Sequence, residues 1–194
     1  MVNFEGFAEG TIISNQYSGL GVTFGQADGG TPMIDNLPPL FGFGPGSGVG
    51  MLTGSTNGGA PFPTVAGLTA SFTSAMSRVG AFFSDTSPLG SYTFTAFGGS
   101  GNVLETFTIT ATTANTQYAG CGLFPTITGC GLFVGFDRSA GDIFKVQFGP
   151  SSAFGDAFAI DDLRFEAAVP EPSSILLLGT GVGGLWLSRR RRAR

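Results

Sequence analysis

Glycine and proline punctuate this chain so densely that short, interrupted strands are the only regular structure most of it can support. Residues 29–63 hold ten glycines and six prolines. Each proline removes an amide donor, and each glycine costs a helix about 1 kcal/mol relative to alanine, so no regular helix survives there. A central strand would lose ladder bonds at the same prolines. The segment reads as a long surface meander with one strand near residues 48–53. Elsewhere the hydrophobic period is two, over residues 2–7, 11–13, 21–24, 68–72, 79–83, 91–97, 103–111, 132–136, 143–148 and 158–166. In residues 103–111, Leu104, Thr106, Thr108 and Thr110 share one face, and Val103, Glu105, Phe107 and Ile109 share the other. Threonine's β-branch suits an exposed pleat, so the second set, Glu105 apart, is expected in the core. Short strands with frequent turns and no helical stretch predict an all-β body over residues 1–168. The expected form is a two-layer antiparallel β-sandwich, jelly-roll-like, with the first and last strands close together.

One parity change stands out near the end of that body. Phe158 and Ile160 are apolar on even numbers, whereas Leu163 and Phe165 are odd. Keeping both pairs inside requires one extra residue between them, so a β-bulge is predicted at Asp161 and Asp162. Two adjacent carboxylates repel unless a cation lies beside them. Arg164 is one candidate and Ca²⁺, which takes six to eight oxygens, is another.

Charge is divided along the chain. Residues 1–168 carry twelve acidic and four basic side chains, Arg78, Arg138, Lys145 and Arg164, a net of minus eight. Such a body repels phosphates, so DNA and RNA are excluded as partners. There is no histidine and Lys145 is the sole lysine, which excludes Ser-His-Asp and Cys-His catalysis. Glu5, Glu9, Asp28, Asp35, Asp137, Asp142 and Asp156 remain as candidates for a glycosidase pair, but twelve acids on an acidic domain ordinarily serve solubility, and no enzymatic activity is expected. Cys121 and Cys130 bracket a short loop without a CxxC spacing. They read as a disulfide worth about 2–3 kcal/mol, or as a pair of buried thiols.

The tail has a different character. Pro170 and Pro172 open an uncharged run over residues 172–188, in which Ile175, Leu176, Leu177, Leu178, Leu185, Trp186 and Leu187 supply the bulk. Arg189, Arg190, Arg191, Arg192 and Arg194 follow it. Seventeen residues of helix reach about 25 Å, slightly short of a hydrocarbon core of about 30 Å. A single short membrane helix over residues 175–188 is expected, with an arginine-rich cytoplasmic tail at 189–194. The body then lies on the far side of the membrane.

Val169, Pro170, Glu171, Pro172 and Ser173, followed by the glycine-containing apolar run and the terminal arginines, resemble the PEP-CTERM sorting signal of diderm bacteria. The resemblance implies a sorting motif at residues 169–174, recognition by the membrane protease-transpeptidase exosortase, and export through a membrane-anchored intermediate. Delivery would be to the cell surface or an exopolysaccharide matrix. It also requires an export signal ahead of Met1. Within the body, Gly155, Asp156, Ile160, Asp161, Asp162 and Leu163 are similar to the closing strand of MAM-type and related jelly rolls. Sugar-binding jelly rolls hold a structural cation between acids of the first and last strands, which implies Ca²⁺ near Glu5 and Asp161 or Asp162. The alternative is an ordinary exposed acidic strand end. The expected role is structural or adhesive. A lectin-like module is the second reading, with Tyr17, Tyr92 and Tyr118 as its candidate stacking rings, and a glycoside-acting enzyme the third.

Overall fold

The computed structural model describes residues 1–36, 48, 50–54, 66–85, 91–110, 132–149 and 158–168. The cysteine pair and the whole C-terminal tail, with its linker, apolar segment and arginines, lie outside them. Nine strands are described: β1 (Val22–Gln26), β2 (Met33–Asp35), β3 (Met51–Thr53), β4 (Leu68–Asp85), β5 (Ser91–Phe97), β6 (Val103–Thr110), β7 (Leu132–Asp137), β8 (Ile143–Phe148) and β9 (Phe158–Ala167). Every pairing between them is antiparallel. Among the described residues no helix is long and apolar enough to cross a membrane.

The long strand β4 makes the sandwich. Its first part, around Leu68 and Ala70, lies between β1 and β8. Its second part, from Arg78 to Phe83, lies between β9 and β7. One layer therefore runs β1-β4-β8-β5-β6 and the other β2-β3-β9-β4-β7, with β4 passing from the first to the second. The crossing is visible in the burial pattern. Leu68, Ala70 and Phe72 are buried on even numbers, and Val79, Ala81 and Phe83 on odd ones, with the register to both β8 and β9 shifting between Ser71 and Arg78. The two separate strands read from the sequence at 68–72 and 79–83 are thus one strand, because a change of layer looks like a break when only parity is counted.

Aromatic rings fill the space between the layers. Phe83 contacts Tyr92, Phe94 and Phe158, with centroids 4.9, 5.0 and 5.3 Å away. Phe107 of β6 meets Phe136 of β7 at 5.2 Å, and Phe72 of β4 meets Phe165 of β9 at 5.2 Å. A second group at the N-terminus joins Phe4, Phe7, Tyr17 and Phe24. It is tied to the end of the domain where the Val2 amide donates to the Leu163 carbonyl at 2.7 Å. First and last segments are therefore neighbours, as the sequence led us to expect.

Several local readings need correction. Residues 2–7 and 11–13 form no strand and hold only single bridges, Val2 to Leu163 and Ile12 to Met33. Val103 is 61% exposed rather than buried. Phe97 pairs with Val103 while Ala96 pairs with Glu105, so Leu104 is an extra residue on β6 and turns Val103 outward. Within the proline-rich meander, β2 forms where no strand was expected, and only three residues long it carries too little periodicity to be seen.

Candidate functional site

The bulge predicted at the adjacent aspartates is present. Phe82 pairs with Asp161 and Gly80 with Arg164, so two residues of β9 face one of β4. Asp162 sits at φ 49°, the only non-glycine residue among those described with a positive φ. Aspartate tolerates this left-handed backbone better than most residues, because its short polar side chain bonds locally. The adjoining Asp161 side chain also supports the bulge, its Oδ1 accepting the Asp162 amide at 2.7 Å. Both aspartates are buried, at 2% and 4% exposure. An ordinary exposed acidic strand end is thereby overturned.

Glu5 and Asp161 are brought into one neighbourhood around Tyr17. Burial raises the Tyr17 hydroxyl above its ordinary 10.0, and the charges of Asp161 and Glu5 raise it further. That hydroxyl donates to the Asn3 carbonyl. Glu5 Oε1 in turn accepts the Gly50 amide at 2.9 Å, and a side chain at Gly48, where φ is +56°, would strike the Glu5 carboxylate. Among the described residues no group of three or more His, Cys, Asp or Glu side chains is placed to hold a metal ion. Arg164 does not serve as counter-charge, because its guanidinium lies over the Phe133 ring, 5.5 Å from the centroid.

The other candidate acids are spread over the surface. Asp142 takes two hydrogen bonds from Arg138, at 2.7 and 3.0 Å, and these hold its carboxyl below the ordinary 3.8. Glu105 also reaches Arg138, at 3.5 Å. Asp137 pairs with Arg78 at 3.0 Å, and Asp28 Oδ1 accepts the Gly30 amide in an exposed turn. Asp35 is buried on β2, Glu9 is exposed, and Asp156 lies outside the described residues. Neither described tyrosine offers a free face for stacking: Tyr92 is 2% exposed in the core, and Tyr17 is enclosed by Phe4, Phe7 and Phe24. Tyr118 lies outside the described residues.

One exposed ring was missed by the sequence reading. Phe133 of β7 is 46% exposed on the outer surface of the second layer. The strand's alternation alone carried the signal, since Val134 and Phe136 point inward and Phe133 must then point out.

At residues 168–192, beginning directly where β9 ends, the sequence matches the PEP-CTERM protein-sorting motif. The chain carries a PEP-CTERM sorting signal. Such a signal implies an exported, surface-sorted protein that passes through a membrane-anchored intermediate processed by exosortase. The PEP-CTERM match covers the tail only. For the body, the fold is similar to that of the K2 cleaved adhesin domain of Lys-gingipain (Kgp), with a TM-score of 0.52 and 15% identity over 84% of this chain and 96% of that one. No curated protein matches the chain.

Proposed function

We propose that this chain is a non-catalytic adhesive or structural protein of the cell surface or exopolysaccharide matrix. The observation that carries the reading is the junction at Ala167 and Ala168, where a sandwich of adhesin-like fold runs straight into a sorting signal. In this reading residues 175–188 anchor the exported intermediate, Arg189 to Arg192 and Arg194 hold its cytoplasmic end, and exosortase acts at the Pro170-Glu171-Pro172 motif. Cys121 and Cys130 form a disulfide once the body is outside. Mass spectrometry of the native C-terminus, fraction by fraction, tests the reading. A surface or matrix form ending near Glu171 or Pro172 is expected, and a cytosolic form with Arg194 intact would overturn it.

We propose Ca²⁺ as a structural ion near Glu5 and Asp161 or Asp162, two carboxylates whose shell backbone carbonyls would complete. Support comes from the two buried aspartates of the bulge and from the shared influence of Asp161 and Glu5 on Tyr17. Calorimetric titration of chelator-treated protein with CaCl₂ is expected to show saturable heat and a higher melting temperature. No heat and no shift would remove the ion from the account.

A further inference from the structure

The C-terminal end of β9 is pinned to the body up to its last described residue. The Ala168 amide donates to the Ala75 carbonyl at 3.1 Å, and Met76 and Arg78 of β4 stand opposite Ala167 and Glu166. The Ser77 hydroxyl reaches the Glu166 and Ala167 carbonyls, at 3.3 and 3.4 Å, and Arg78 pairs with the Glu166 carboxylate at 3.4 Å. Ala168 also rests against the turn that follows β7. The Gly141 amide closes that turn on the Arg138 carbonyl at 3.0 Å, and a Cβ on Gly141, where φ is +57°, would strike the Ala168 side chain.

This hold is shallow. Glu166 and Ala167 are exposed and Ala168 is half-buried, so these bonds face water and their opening uncovers little apolar surface. Anchoring in the core begins at Phe165, whose ring packs on Phe72 with centroids 5.2 Å apart, and at the fully buried Leu163. A short, solvent-facing ladder end of this kind frays thermally far more often than the domain unfolds, and here the fraying stops at Phe165.

Val169 alone separates Ala168 from Pro170 of the sorting motif. An extended chain covers about 3.5 Å per residue, so Pro170 lies at most about 7 Å along the chain from the pinned Ala168. A protease seats its substrate as an extended segment, with residues on both sides of the scissile bond lying in the cleft. Upstream of Pro170 the pinned form offers Val169 only. Release of Glu166, Ala167 and Ala168 extends the free stretch to residues 166–169 and its reach from Phe165 to roughly 17 Å. Downstream, the apolar run follows the motif directly, so slack has to come from the body.

The geometry points to the end of β9 as a latch on the chain's own processing: exosortase takes Pro170, Glu171 and Pro172 once Glu166, Ala167 and Ala168 have left β4. The latch rests on the reading that exosortase acts at this motif, and it supplies the step that sets the rate. Phe165 and Leu163 stay in place throughout, so the body remains folded while its tail is cut.

Pulse-chase labelling of the full chain in its native host, following precursor and product, tests the latch. A short Gly-Ser insertion between Ala168 and Val169 supplies slack while the latch stays closed. Gly141→Ala displaces Ala168 and leaves the motif untouched. Each should shorten the precursor half-life about threefold or more, because cleavage follows the population of the open form. Melting curves verify that the Gly141→Ala body is folded. A native half-life in the extended chain, or acceleration only in a Gly141→Ala chain without a melting transition, would overturn the latch. A native chain that is never cut refutes the processing reading and the latch with it, whereas cleavage at one rate in all three chains refutes the latch alone.

Discussion

Phe83→Ala is the sharpest probe of how the two layers are held together. Phe83 is 2% exposed and sits in the part of β4 that belongs to the second layer, yet two of its three ring partners, Tyr92 and Phe94, come from the first. Removing a buried phenylalanine ring costs about 3–5 kcal/mol, and each lost aromatic pair adds about 0.5–1.5 kcal/mol where the geometry is favourable. Its neighbours are strands fixed by ladder hydrogen bonds, so the site cannot collapse to fill the space. The loss should therefore lie at the upper end, near 5 kcal/mol. In a domain of this size 1 kcal/mol shifts the melting temperature by roughly 2–4 °C, which places the expected drop at roughly 10–20 °C. Urea denaturation and thermal melts of the variant beside Phe133→Ala, whose ring is half open, provide the comparison. A loss below about 2 kcal/mol would refute the view that this ring joins the layers.

Asp162→Val should cost about 2 kcal/mol in urea denaturation because a β-branched residue resists φ 49°, whereas Asp162→Asn should cost distinctly less; equal losses would disprove the left-handed bulge. The raised Tyr17 value sets an alkaline dependence. Above pH 10.0 the unfolded chain releases this proton while the folded one keeps it, so stability is complete below that pH and falls as pH rises through the folded value. Near-ultraviolet absorbance should show Tyr17 titrating late, with Asp161→Asn moving it back towards 10.0, and an unchanged titration would separate Asp161 from Tyr17. Asp142 has the opposite sign: its lowered carboxyl contributes stability above pH 3.8 that is lost on further acidification. Asp142→Asn should flatten the acid end of the melting-temperature profile, slightly, because the Arg138 pair is near solvent.

The parts of the fold that could be read in advance are those where side-chain alternation meets a single solvent boundary. Phe158, Ile160, Leu163 and Phe165 announced the bulge because all four had to be inside. Leu104 defeated the same logic, since an extra residue on an edge pairing reverses a face without leaving an apolar pair on both sides to betray it. The passage of β4 between layers was misread as two strands for a related reason: parity records which way a side chain points and says nothing of which sheet it points from. At the site, the acidic pair was legible as a repulsion needing an explanation. The seat of Phe133 was not, because it is made by glycines on two strands brought opposite each other by register, a relation between positions 80 and 135 that no local window contains.

The place of β9 has a mechanical consequence. A load applied at the C-terminal end of the body enters at Ala167, on a strand flanked by β3 and β4 instead of one at the rim. Pulled along its length, β9 must shear its ladder against β4 all at once, and unzipping bond by bond from a free border is not open to it. Because β4 is woven into both layers, tension on β9 is shared by the entire domain.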